Sequence, residues 1–224
     1  MASTILVSSI IAKARAALGD ASAPYRRTDQ ELLTWFNLGQ RQIVLMKLDA
    51  NVTRGNMTLV AGAKQGTTGV ALLEATRNAN GAAIRRTTKA ILDALAQDWL
   101  TTTGNATDKF YAVDEHDPRV FWVYPPQPSS GMGTIEAVQS SLPADIAYAN
   151  LGAAAITLDD VYEVPLIEYL CFRALSEDTD DASDAKASTH AQAFFTALGV
   201  KAQTDVALAA LKRGVMPPQD GGKK

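Results

Sequence analysis

Asp114-Glu115-His116-Asp117 sets three carboxylates beside one of only two histidines in a 224-residue chain. Those residue types support two chemistries. A divalent metal takes imidazole and carboxylate ligands, and a histidine–carboxylate pair can shuttle protons. On that reading Glu115, His116 and Asp117 would serve a metal-dependent hydrolase. The spacing argues against it. A metal needs side chains that converge on one point, and four consecutive turn residues splay apart. The other histidine, His190, falls in a predicted helix. Asp117 precedes Pro118, a pairing that starts turns. A polar β-turn without a metal is therefore expected.

Other constellations are weaker still. No serine sits in a nucleophile elbow, and two histidines leave little from which to build a triad. The acidic stretch 176–184 has the alternation of a calcium loop but lacks its central glycine and closing glutamate. "GAKQGTTG" (62–69) has three glycines and a lysine without the GK[ST] of a P-loop. Arg26-Arg27 and Arg85-Arg86 read as solvated basic pairs. Cys171, the single cysteine, lies in an apolar stretch and reads as a buried thiol.

The residues after the turn stand out more. In "VFWVY" (120–124) successive side chains point to opposite faces, so a strand here would be apolar on both. Phe110, Tyr111, Phe121, Trp122 and Tyr124 form an aromatic concentration that needs cover, from the chain's own helices or from another subunit. These five are candidate contacts for a subunit or tail partner.

Certain elements must position these residues. Val7, Ile10, Ile11, Ala14 and Leu18 make one helical stripe over residues 3–18, with Gly19 placed as a left-handed cap. The N-terminal apolar run has no basic residues before it and reads as an amphipathic helix rather than a signal peptide. Thr28-Asp29-Gln30-Glu31 is a capping box that opens a second helix. Its expected inner face is Leu32, Trp35, Phe36, Gly39, Ile43 and Met46, with Gly39 allowing a neighbouring helix to come close.

After residue 48 the period shortens. Strands are expected around 57–59, over 70–78 and over 82–88, and Thr88 caps a short helix over 89–96 that Trp99 packs down. "KFYAV", "VFWVY" and "TIEAVQSS" read as a three-stranded antiparallel meander. The helical period returns near Asp159, with Pro165 in the first turn of a helix where its missing N–H costs nothing. A last helix starts at Ser183 or Asp184. Phe194, Phe195 and Leu198 lie on its apolar face, and it either runs through Gly199 or stops there.

The expected architecture is α+β: a helical bundle from N- and C-terminal helix pairs with an inserted antiparallel β-rich module. Its segments are 1–48, 49–158, 159–212 and a tail, 213–224. The formal charge of −3, from 21 basic and 24 acidic residues, leaves no overall basic excess for holding nucleic acid. No segment approaches a membrane span.

Several blocks in order carry a resemblance: "TDQELLTWFNLGQRQIVLMKLDA", "TLVAGAKQ", "LLEATRNANG", "AIRR", "DPRVFWVYPPQP" and "VYEVPLIEYLCFRALSED", followed by a long alanine-rich helix. Over residues 3–210 the chain resembles tailed-bacteriophage head-to-tail adaptor (connector) proteins. That resemblance implies a structural virion protein at the head–tail junction, made in the host cytoplasm, with no catalytic residues and no cofactor. It implies a ring, most often of twelve copies, beneath the portal protein. The ring would extend the channel for double-stranded DNA, without reading its sequence, and present a platform for tail or nozzle proteins. It also implies that the C-terminal segment reaches the portal. Lys212, Arg213, Val215, Met216, Pro217 and Pro218 are the candidate contacts here. A tail-completion or minor capsid protein of similar build is the alternative.

Overall fold

The structure is a computed structural model that describes residues 3–178 and 181–212, and for 181, 182 and 200–212 the backbone alone. Its α+β architecture falls into two compact units. One takes Met1–Ile43 with Pro143–Lys224, and the other Val44–Leu142.

The first unit is helical. Helix α1 (Val7–Leu18) begins later than its apolar stripe suggests. Residues 3–6 are extended instead, because their polar groups have better partners than a helix offers. The Ser3 hydroxyl donates to Asp160 and so does that of Thr4, at 3.1 Å. The Val7 N–H donates to Ala154 O and the Ile156 N–H to Ile5 O, both at 3.0 Å. Residues 143–158, expected within the β-rich insertion, thus belong with the helices. From Val7 on the stripe holds: Val7, Ile10, Ile11 and Ala14 are buried. Gly19 ends the helix at φ 70°, the left-handed region that glycine enters without a Cβ clash.

Helix α2 (Asp29–Met46) starts in the expected capping box. The Glu31 N–H donates to Thr28 Oγ1 at 3.2 Å, and the Thr28 N–H donates to Glu31 Oε2 at 2.7 Å. Leu32, Trp35, Phe36 and Ile43 are buried, while Met46 is exposed. A Cβ on Gly39 would stand 2.8 Å from the Tyr169 ring, so glycine is what permits this close approach. Tyr169 lies on α4 (Glu163–Ser176), which carries Pro165 in its first turn and buries Leu166, Leu170, Cys171 and Ala174. Helix α5 (Asp181–Lys212) runs through Gly199 without a break. It packs Ala187, Phe194 and Leu198 inward and leaves Phe195 exposed.

The second unit holds two sheets. Strands β1 (Val52–Thr58), β3 (Ala71–Asn78) and β7 (Thr134–Ser140) form an antiparallel sheet in the order β1-β7-β3. Strands β2 (Gly62–Gly66), β4 (Arg85–Arg86), β5 (Phe110–Val113) and β6 (Val120–Gln127) form the other, in the order β2-β6-β5-β4. Only β5 and β6 of the expected meander pair with each other. Strand β6 already has β2 on one side and β5 on the other, so β7 finds its partners in the opposite sheet. Strand β4 is a two-residue edge that pairs parallel with β5. Helix α3 (Lys89–Leu95) is capped by Thr88 Oγ1, which accepts from the Ile91 N–H at 3.3 Å.

The sheets share one core. Leu72, Ala75, Ile135 and Ala137 meet Tyr111, Phe121 and Val123. Fully burying a side chain such as Phe121 contributes about 1.5–3 kcal/mol, so this layer holds the unit together.

Candidate functional site

The turn behaves as its Asp-Pro sequence suggests. Asp114 Oδ1 accepts from the backbone N–H groups of His116, at 2.9 Å, and Asp117, at 3.1 Å. Asp117 Oδ1 accepts from the Arg119 N–H at 3.0 Å and from its guanidinium at 3.1 Å. The Asp114 N–H donates to Val120 O, closing the loop. The carboxylates therefore spend their lone pairs on the chain's own backbone. The N–H of His116, then that of Asp117, holds the Asp114 carboxyl below the ordinary carboxylate range. The Arg119 guanidinium, then its N–H, does the same for Asp117. Such carboxyls stay ionised and make poor proton donors near neutrality. The His116 side chain is 93% exposed, with its Nδ1 4.0 Å from Asp114 Oδ1. Among the described residues, no group of three or more histidine, cysteine, aspartate or glutamate side chains could hold a metal ion. Arg86, Lys89 and Asp93 line an open cleft of about 490 Å³ with this turn, and the two signs of charge are mixed along its walls. The buried Cys171 thiol is pushed up to about 12 by its apolar surroundings, which leaves it unreactive.

The aromatic strand divides by face. Phe121 and Val123 of β6 and Tyr111 of β5 point into the core between the sheets. Phe110, Trp122 and Tyr124 point the other way and are half-buried against Leu92, Ala96 and Trp99. Trp99 meets Trp122 edge-on with ring centroids 6.0 Å apart. The Trp99 indole N–H donates to Asp93 of α3 at 2.7 Å, which fixes the ring that packs on Trp122. Both apolar faces of β6 are thus covered from within the unit. Tyr111 and Phe121, expected as partner contacts, are 2% and 0% exposed and have no surface to offer. Phe110, Trp122 and Tyr124 keep part of theirs. Lys64 and Lys89 place their ammonium groups 5.9 and 5.7 Å from the Trp122 ring centre. Residues 64, 89 and 122 are far apart in the chain, so no local sequence pattern signals this meeting.

The candidate portal contacts Arg213, Val215, Met216, Pro217 and Pro218 lie outside the described residues. Lys212 is described only as the last residue of α5.

The SU10 adaptor protein family model matches residues 5–214. The chain belongs to the SU10 adaptor family. No curated protein matches it. This is a family of phage head-to-tail adaptors, so the chain is a structural protein of a tailed-bacteriophage virion that works in tail assembly. An SU10 adaptor sits at the head–tail junction and meets portal and tail proteins there. The match spans both units, so the β unit is part of the adaptor rather than an appended domain. Among the described residues no helix is long and apolar enough to cross a membrane.

Proposed function

We propose that this SU10 adaptor closes into a ring beneath the portal, continues the DNA channel and offers a platform for the tail. The family match over residues 5–214 carries this reading. In it, the helices pack head-to-tail against neighbouring copies, a heterologous contact that closes when the rotation per subunit divides the circle. Twelve copies is the proposed number. Phe110, Trp122 and Tyr124 supply the aromatic contact to a neighbour or tail protein, because their outer face keeps exposed area while Tyr111 and Phe121 do not. Lys212, Arg213, Val215, Met216, Pro217 and Pro218 anchor the portal. A polar, proline-bearing end after a long helix suits docking onto a partner late in assembly.

The channel reading asks for polar lumen walls without strong positive charge, since phosphate attraction would hold DNA that has to pass. A formal charge of −3 is compatible with this. The protein is proposed to be no enzyme, because the turn that looked chemical uses its carboxylates on backbone N–H groups.

Removing residues 213–224 tests the anchor. Filled heads should then recruit the adaptor at least tenfold less than wild type, measured by quantitative mass spectrometry of purified particles. Recruitment at the wild-type level would remove the tail from the portal contact.

A further inference from the structure

The β unit contains a buried acid, Asp108, outside the contacts proposed for the ring and the portal. Asp108 stands two residues before β5 and its surface is fully covered. Its neighbours come from both sheets. The Asp108 N–H donates to Asn78 Oδ1 at 2.9 Å, and Asn78 Nδ2 returns a bond to Asp108 O at 2.8 Å. Asn78 ends β3, in one sheet. Gln127 ends β6, in the other, and its Nε2 donates to Asp108 Oδ1 at 2.8 Å. Gln127 Oε1 accepts from the Gly133 N–H at 2.5 Å, next to the start of β7. Four chain segments therefore meet around Asp108: Asn78 on its backbone, Gln127 on its carboxyl, and Gly133 on Gln127.

The knot is tight. A Cβ on Gly133 would stand 1.9 Å from Ala106 O. Asp108 Oδ2 is buried without a hydrogen-bond partner. Charged groups are close in sequence but do not reach it. Lys109 follows with an exposed side chain, and Arg77 of β3 pairs with Glu136 of β7 at 3.5 Å. The one polar group at the carboxyl itself is the neutral amide of Gln127, while the Asn78 amide holds the Asp108 backbone. A buried carboxylate with one amide donor and one empty oxygen is costly, and the neutral acid is much less so.

We propose that Asp108 is a proton-sensitive joint that fastens the two sheets of the β unit at one end, holding when the carboxyl is neutral and loosening when it ionises. Burial pushes this acid from 3.8 up to about 7, with the Gln127 bond opposing the rise. The unfolded chain releases the proton near the ordinary value and the folded unit releases it only near neutrality. The stabilisation is therefore fully present below about pH 4, fades as pH rises, and is gone above about pH 7. The inference concerns the β unit alone and does not depend on ring formation.

The full-length protein and its Asp108→Asn variant test it, through urea unfolding followed by tryptophan fluorescence, since Trp99 and Trp122 report on this unit. Between pH 5 and 7 the wild-type unfolding equilibrium should rise by up to about tenfold per pH unit. The variant, which keeps an acceptor for Gln127 and cannot ionise, should lose that rise. Equal pH dependence in the two proteins would overturn the proposal. Should the variant fail to fold, the ¹³C shift of the Asp108 carboxyl in the wild type decides. A midpoint near neutrality supports the joint, and one near 4 overturns it.

Discussion

The two units face the same problem, fastening a loop to regular elements, and solve it with opposite electrostatics. In the helical unit the loop after α1 is held by ions. Arg15, 5% exposed, donates to Asp20 at 2.7 Å, to Asp29 at 2.7 Å and to Arg27 O at 2.7 Å, and lies 4.1 Å from the centre of the Tyr25 ring. Asp20 Oδ1 accepts from the Arg26 N–H at 2.8 Å. Arg27 carries the network to Glu177 and Asp178 at the end of α4. In the β unit the loop before β5 is held by neutral amides around Asp108. The Arg26 N–H, ahead of the Arg15 charge, holds Asp20 below its ordinary range, while burial lifts Asp108 above its own. A buried carboxyl with a cation and backbone donors stays an anion. One with a single amide keeps its proton. The pH responses are then opposite. The Asp20 contribution is present above the unfolded value of 3.8 and is lost as pH falls through its lower folded value. The Asp108 contribution is lost as pH rises.

Arg15→Ala should break this comparison most severely. It strands Asp20, which is 6% exposed, without its cation, and removing one partner of a buried ion pair costs about 3–5 kcal/mol. Hydrogen exchange should show α1 and α2 losing protection while β6 and β7 keep theirs. Equal loss in both units would mean that they do not unfold separately.

Gly133→Ala attacks the neutral knot by shape alone. The new methyl group meets the backbone oxygen of Ala106, and overpacking of this kind costs about 1–3 kcal/mol. The same exchange experiment should now show the loss in β6 and β7. Protection unchanged there would mean that the knot does not hold the sheets.

His116→Ala is the smallest change and sharpens the contrast between buried and exposed charge. The ring is almost fully exposed, and a surface substitution of this kind stays within about 0.5 kcal/mol. Thermal unfolding and particle assembly should match wild type. A loss of bound metal or of a hydrolytic activity would revive the enzyme reading of the turn.

Local signals in the sequence carried through to the structure. Thr28 with Glu31, Gly19, Pro165, Thr88 and Asp117-Pro118 each act through neighbours within four residues, so their physics is written in a short window. Gly39 needed a distant partner, but the absence of a side chain on a packed helical face was itself a cue. Pairing between strands was not legible. Strand β7 alternates as a strand should, yet alternation cannot say that β6 has no free edge. The fate of residues 3–6 hung on Asp160 and Ala154, both more than 140 positions away. Asp108 gave no signal: "TTTGNATD" reads as a polar loop, and only folding shows that its last residue is buried. The aromatic strand was half legible. Its two apolar faces were evident, whereas their cover, by the opposite sheet on one side and by α3 with Trp99 on the other, was not.

This SU10 adaptor is proposed to become a ring on its portal. Native mass spectrometry of purified adaptor mixed with the portal protein of the same phage tests it most directly. One discrete complex with one adaptor per portal subunit is expected, twelve on a twelve-fold portal. Folded adaptor that leaves the portal mass unchanged, or that adds in scattered small numbers, would contradict it.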